Sequence, residues 1–240
     1  MDILFVITAR GGSKGVPRKN IKKVGPLPLV AYKIIAAQKS NMNKRIIVST
    51  DDEEIASVSM RYGAEVPFMR PMSLATDHAS SAEVVEHAMN WVKENDKKRY
   101  DYICLLEPSS PFASYLDLNN AFRLISESNA DTLLGMKEVD VNKVFIHSLD
   151  TNGGLSYFYQ GIKELKSIRR QDQKKEYTMN GCMYIAKWNY FEKYELFHSM
   201  NSVPYIMSEE VSIEIDTMLN YEMACSMVEK GIVDITPWMD

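Results

Sequence analysis

The amino-acid sequence predicts an α/β fold built on a mainly parallel sheet. Three features carry this reading. Short apolar runs alternate with segments of helical periodicity from Ile3 to Met136, the pattern of a parallel sheet with right-handed crossovers. The first run is continuous, as in strands covered on both faces. Polar segments follow the apolar runs directly, where loops beyond the carboxyl ends of parallel strands bind ligands.

The elements follow in order. Residues 3–8 read as the first strand and 9–25 as a polar loop. Leu29, Tyr32, Ile35 and Ala36 stand at helical spacing and predict a helix over 29–39. Residues 46–48 form the second strand. Thr50 and Glu53 read as a capping box opening a helix that stops at Gly63. Residues 66–68 read as a short third strand or an extension. A second box, Ser80 with Glu83, precedes a helix through Val84, Val85, Ala88 and Val92. Residues 102–106 are a buried strand, Ser114 and Asp117 start the helix through Leu118, Phe122 and Ile125, and 132–136 form a further strand. From Val139 the pattern changes. Residues 150–175 are polar, with Gly153-Gly154 and a basic run from Lys163 to Lys175: an extended hairpin, a lid or a subunit contact. Residues 212–216 alternate apolar with acidic side chains, which in a strand puts Glu214 and Asp216 on one face. A final helix runs over 219–230.

The bulk properties restrict the function. A chain of 240 residues with 45% hydrophobic and 25% charged side chains suits one domain over 1–240, with 139–175 as an excursion within it. A net charge of −4 argues against a general nucleic-acid or membrane-surface binder, so neither is expected as a partner. Cys104, Cys182 and Cys225 are widely spaced and fit neither a metal site nor a disulfide framework. Cys104 lies in the apolar run 102–106 and reads as a core thiol. The apolar N-terminus lacks a basic leader region and no apolar stretch is long enough to span a bilayer. The expectation is a soluble protein of a reducing cytoplasm.

The loop over 9–20, Ala-Arg-Gly-Gly-Ser-Lys-Gly-Val-Pro-Arg-Lys-Asn, carries the chemistry. It holds three glycines and four cations in twelve residues. Glycines let main-chain N–H groups turn toward an anion, and the cations neutralise it. A triphosphate, with about four negative charges, needs that combination. The Gly-Lys-Ser/Thr ending of a P-loop and the Gly-x-Gly-x-x-Gly of a dinucleotide site are both absent. A solvated basic loop is the plain alternative; the position after the first buried strand favours a phosphate site.

With this loop, four further stretches in order resemble the CMP-sialic acid synthetases, the acylneuraminate cytidylyltransferases. They are 48–56, Val-Ser-Thr-Asp-Asp-Glu-Glu-Ile-Ala; 70–81, from Arg70-Pro71 to Ser80-Ser81; 105–112, Leu-Leu-Glu-Pro-Ser-Ser-Pro-Phe; and Asn180-Gly181 with 212–217, Ser-Ile-Glu-Ile-Asp-Thr. The resemblance implies a three-layer, Rossmann-like nucleotidyltransferase fold with a protruding dimerisation segment. It implies transfer of CMP from CTP to the anomeric hydroxyl of an acidic nine-carbon sugar, with pyrophosphate released, in a homodimer that uses Mg²⁺ or Mn²⁺. By this resemblance Arg10, Ser13, Lys14 and Lys19 hold the phosphates, Asn20 lies at the nucleotide, and Arg70, Ala79 and Ser81 recognise cytidine. Glu107, Lys143, Arg170 and Asn180 fall on the sugar side. Asp216 and Glu214 match the metal pair, and Arg10, Lys19 and Asp216 are the catalytic set. The proton acceptor stays open between a metal-bound hydroxide and Asp216.

The sequence departs from the family pattern at Glu214, where Asp is usual, and at Glu107, where Gln is usual. Ala113 stands where Arg is common, and Met179 replaces the Pro before Asn-Gly. Those at Glu107, Ala113 and Met179 gather on the sugar side and leave the particular sugar open; the carboxylate of Glu107 leads to the expectation of a nonulosonic acid other than N-acetylneuraminic acid, such as a deoxy, diamino relative. Two rival readings are a ketodeoxyoctonate-type cytidylyltransferase and a non-catalytic nucleotide-binding relative. The four histidines show no catalytic or metal spacing, and Asp51-Asp52 reads as a helix start.

Overall fold

A computed structural model of the chain describes residues 1–139, 143–163, 169 and 174–239. Its centre is a six-stranded sheet of β1 (Asp2–Thr8), β4 (Asn43–Ser49), β5 (Tyr102–Leu106), β6 (Thr132–Glu138), β7 (Tyr177–Lys187) and β8 (Ser202–Met207), in the spatial order β4-β1-β5-β7-β6-β8. β1 pairs in parallel with β4 and β5, and β6 in parallel with β8, while β7 runs antiparallel to both its neighbours. A two-stranded piece, β2 (Lys23–Val24) with β3 (Leu27–Pro28), sits in the first loop. The mainly parallel α/β expectation holds.

Alternation along β1 divides the core. Ile3, Phe5 and Ile7 face α1 (Leu29–Lys39), α2 (Glu53–Arg61) and α4 (Tyr115–Ser128), while Leu4 and Val6 face α3 (Ser81–Asn95) and α6 (Trp188–Tyr194). Helices on both faces make three layers. α5 (Ser156–Ile162) lies within the 139–175 segment, and α7 (Met218–Glu229) packs Ala224 onto a third cluster with Val16, Tyr32, Phe112 and Trp238. Among the described residues no helix is long and apolar enough to cross a membrane.

The helix starts are written locally. At α3, Ser80 and Glu83 close a capping box, with Glu83 N donating to Ser80 Oγ at 3.2 Å and Ser80 N to Glu83 Oε2 at 2.7 Å. At α4, the Asp117 carboxylate accepts from both the Ser114 N–H and hydroxyl at 2.8 Å. The first expected box is corrected. Asp52 caps α2 by accepting from Ile55 N at 2.9 Å, and Thr50 instead receives the Asp52 N–H at 3.2 Å. Gly63, just past α2, takes φ +86°, the left-handed conformation glycine adopts without a Cβ penalty.

Other expectations change. α1 is buried well beyond the expected stripe, because Val30, Ala31, Lys33 and Ile34 are inside as well. Residues 66–68 are an extension, tied to the sheet by the Ile47–Glu65 bridge before it and by Arg70 N donating to Thr50 O at 2.8 Å after it. Residues 213–216 form no strand; they are held extended by Ile215 N donating to Ser109 O at 2.8 Å. The antiparallel β7, with α6 and β8 after it, is the largest element without a sequence signal. Its Asn180-Gly181 pair reads as a turn. Gly181 does take φ +68°, but at a register irregularity inside β7, opposite Leu134–Met136.

A candidate nucleotide site at the carboxyl edge of the sheet

The pairing of Thr8 with Ser49 and of Ile7 with Leu106 brings the ends of β1, β4 and β5 level. The loops that follow them therefore share one edge, with the 70–81 stretch beside them. The first loop, the 70–81 stretch, Glu107, Pro108, Ser109 and Asp216 enclose a cavity of about 340 Å³. All eight residues assigned to the nucleotide (Arg10, Ser13, Lys14, Lys19, Asn20, Arg70, Ala79 and Ser81) line it, with Glu107 and Asp216.

The first loop is fixed at several points. Ala9 N donates to Ser49 O at 3.0 Å and Gly11 N to Asp51 Oδ1 at 2.9 Å. Asn20 is buried, and its Nδ2 donates to Arg10 O at 2.8 Å, tying one end of the loop to the other. Lys19 reaches across the cavity to Ile215 O at 2.9 Å and Asp216 Oδ1 at 3.1 Å. Arg18, at φ +56°, turns away to pair with Asp52 and Glu54, and its guanidinium holds the Asp52 carboxyl below the usual range. Arg10 and Lys14 both pair with Asp77.

Arg70 is a buried cation whose hydrogen bonds go to neutral groups. Its Nε donates to Ser49 Oγ at 3.1 Å and its terminal nitrogen to Ser49 O. Burial pulls its pKa down to about 10, so it remains charged at neutral pH and presents that charge to the cavity. Glu107 accepts from Ser81 Oγ at 2.8 Å. Burial raises its carboxyl, with Ser81 opposing. Glu214 is also raised, first by burial and then by the charge of Asp216.

The remaining assigned residues stand apart. Asn180 is buried in β7; its Nδ2 donates to Ser212 Oγ at 3.0 Å and its Oδ1 accepts from Cys182 N at 3.1 Å, so the amide is engaged within the protein. Glu214 is exposed beside the cavity, 3.2 Å from where a Gly181 Cβ would sit. Lys143 is exposed and pairs with Glu176 at 3.2 Å. Arg170 lies outside the described residues. Of the off-pattern positions, Ala113 is buried and Met179 exposed. Two residues stand out that the sequence reading left without a role. Asp77 sits inside a matched stretch, where it is the sole acidic residue of 70–81; its pairing with Arg10 and Lys14 arises only in the fold. Lys33 is wholly buried on α1, with Nζ donating to Cys182 O at 3.0 Å; a lysine in a helix buried nearly all round was the signal there.

Comparison with known proteins agrees with this geometry. The family model described as Cytidylyltransferase matches residues 4–231. A CMP-N,N'-diacetyllegionaminic acid synthase of Campylobacter jejuni is 34% identical over 223 residues, covering 92% of this chain and 93% of that protein. An N-acylneuraminate cytidylyltransferase of Escherichia coli is 31% identical over 95% of this chain, which spans 52% of the relative. Among solved structures, CMP:2-keto-3-deoxy-manno-octonic acid synthetase complexed with CTP superposes with a TM-score of 0.70 at 14% identity, over 96% of this chain and 100% of that one, a likeness of fold. With one family matched along almost its whole length, on a sheet whose edge gathers the first loop, the 70–81 stretch, Glu107 and Asp216 around one cationic cavity, the chain belongs to the cytidylyltransferase family of CTP-dependent nucleotidyltransferases.

Proposed function

We propose that this enzyme transfers CMP from CTP to the anomeric hydroxyl of a nonulosonic acid. The observation that carries the reading is the convergence of the cationic loop, the buried Arg70 and Asp216 on one cavity, in a chain whose relatives include a legionaminic and a neuraminic acid enzyme. The sugar oxygen attacks the α-phosphorus, the bond from that phosphorus to the bridging oxygen breaks, and pyrophosphate leaves with the electron pair. Arg10 and Lys14 receive phosphate oxygens, Arg10 in a fork and Lys14 as a point charge. Lys19 adds positive charge between the phosphates and Asp216. Such transfer is mainly positioning and charge stabilisation, which prealigned cations supply. Arg70, Ala79 and Ser81 border the base, and Glu107, bonded to Ser81, lies toward the sugar.

Asp216 and Glu214 suit Mg²⁺ or Mn²⁺. They offer hard oxygen donors, and the charge of Asp216 adds to burial in raising Glu214; that part of the rise is a like-charge repulsion that a divalent cation would relieve. Among the described residues no group of three or more His, Cys, Asp or Glu forms a complete cage, as expected where substrate phosphates supply further ligands. A bound Mg²⁺ would neutralise charge on the transferring phosphate. Lys143 is absent from the lining of its own chain's cavity, and the reading has the arm that carries Lys143 and Arg170 complete the sugar pocket of a neighbouring subunit. The reading therefore includes a homodimer joined through 139–175. The exposed Ile146, Leu149, Leu155, Tyr157 and Tyr159 of that segment form an apolar surface suited to cover by a partner. The three free thiols fit a reducing cytoplasm.

Mass spectrometry of products from CTP with a panel of nonulosonic acids and ketodeoxyoctonate tests the reaction. A CMP-nonulosonate with stoichiometric pyrophosphate is expected; preference for another nucleotide or for the octonate overturns it. Sedimentation tests the assembly, and a fully active monomer removes the shared pocket.

A further inference from the structure

Of the four cations in the first loop, two are held by one carboxylate. Arg10 NH1 lies 2.8 Å from Asp77 Oδ1, and Lys14 Nζ pairs with Asp77 Oδ2. Asp77 itself lines the cavity. Each oxygen takes one cation, much as two oxygens of a phosphate chain would. Arg18 is engaged elsewhere and Lys19 lies on Asp216, so the Arg10–Lys14 pair is where the loop has cationic capacity to exchange. All three side chains are part-exposed, at 32%, 80% and 38%, and ion pairs in such settings are weak enough to exchange.

We propose that Asp77 is a positioning residue that acts as an internal competitor for the triphosphate: its carboxylate keeps Arg10 and Lys14 aligned in the free enzyme and is displaced by the incoming phosphate chain. The inference rests on the nucleotide reading of this cavity. A single carboxylate charge cannot share two cations with a triphosphate of about four charges without strong like-charge repulsion, so binding exchanges one anion for the other. Two consequences follow. The cations are preordered without a bound ligand, which lowers the reorganisation required in the reaction. The same carboxylate also competes with pyrophosphate after transfer, so its return assists product departure.

Calorimetric titration of the full-length protein with tripolyphosphate, pyrophosphate, CTP and cytidine tests this on wild type, Asp77→Asn and Asp77→Glu. Asp77→Asn is expected to bind tripolyphosphate and pyrophosphate about tenfold more tightly, the order set by two part-exposed ion pairs. Its KM for CTP should fall while kcat falls with it, as pyrophosphate leaves more slowly. Cytidine binding should stay within about twofold, because the nucleoside carries no phosphate. The gain should shrink at high salt, and Asp77→Glu, which keeps the charge, should stay near wild type. Equal or weaker tripolyphosphate binding by Asp77→Asn overturns the proposal, as does an Asp77→Glu protein that behaves like Asp77→Asn. Tripolyphosphate carries no base. If wild type binds it and the Asp77 pattern holds, but ATP, GTP or UTP is preferred over CTP, the cytidylyl reading fails and the role of Asp77 stands.

Discussion

Lys19 and Asp216, 197 positions apart in sequence, meet with Nζ 3.1 Å from Oδ1, and this contact joins the phosphate loop to the acidic segment on one wall of the cavity. It puts Asp216 on the lining of the cavity, from which Glu214 is absent. Chelation with EDTA should abolish turnover, and Mg²⁺ or Mn²⁺ should restore it. Asp216→Ala is expected to reduce kcat/KM by about 10²-fold or more, the scale of a lost transition-state charge contact, and Glu214→Ala by distinctly less. Equal and mild effects would remove both residues from metal binding.

Gly15 is fixed by the same wall. A Cβ there would lie 1.9 Å from the main-chain oxygen of Asp216, a clash that only a backbone shift can relieve. Gly15→Ala should cost about 1–3 kcal/mol, lower Tm by several degrees and weaken CTP binding by moving Lys14. Gly12→Ala is the control: no atom lies within 4 Å of its added Cβ, so Tm should be unchanged. Similar melting temperatures for the two variants would show that the loop yields freely.

The raised carboxyl of Glu107 ties stability to pH. Its pKa is raised in the folded protein, chiefly by burial, so the native state binds more protons than the unfolded chain between the ordinary and the raised value. Stability therefore falls as pH rises through that window. Glu107→Gln should be the more stable protein at pH 7–8 in urea melts, and the difference should close as pH drops below the raised value. A difference that does not vary with pH would mean that Glu107 does not titrate there. The same substitution replaces an acceptor-only carboxylate with an amide that donates and accepts. It should shift the kcat/KM ratio toward N-acetylneuraminic acid and away from a deoxy, diamino relative. No shift would show that Glu107 does not read the sugar.

Lys33 is buried completely and burial lowers its pKa. The unfolded chain then binds the extra proton, and stability rises with pH toward the ordinary lysine range. Lys33→Met, close in shape, should stabilise the protein at pH 7 by about 1 kcal/mol or more, net of the lost bond to Cys182 O. The gain should diminish by pH 10. A destabilised variant would show that the Cys182 contact outweighs the buried charge.

Local physics explains what could be read in advance. The Ser80–Glu83 and Ser114–Asp117 starts and β5 at Tyr102–Leu106 each depend on residues within a few positions of one another. β7 did not declare itself, because it is stabilised by β5 and β6 on either side, pairings distant in sequence, and because Asn180-Gly181 imitates a turn. The acidic segment was read as a strand for the converse reason. Alternation fixes which side chains share a face, but here isolated bonds to Ser109 and Lys19 hold the segment extended in place of a strand ladder.

By itself the sequence determined the α/β class, the starts of α3 and α4 and the family, since periodicity, caps and the order of the motifs are properties of contiguous residues. Only the tertiary structure decided that Asp77 sits between Arg10 and Lys14, that Ser81 bonds Glu107, and that Lys33 is wholly enclosed. Those relations depend on where separate loops and helices converge, and a charge acquires its partner and its surroundings only when the chain has folded around it.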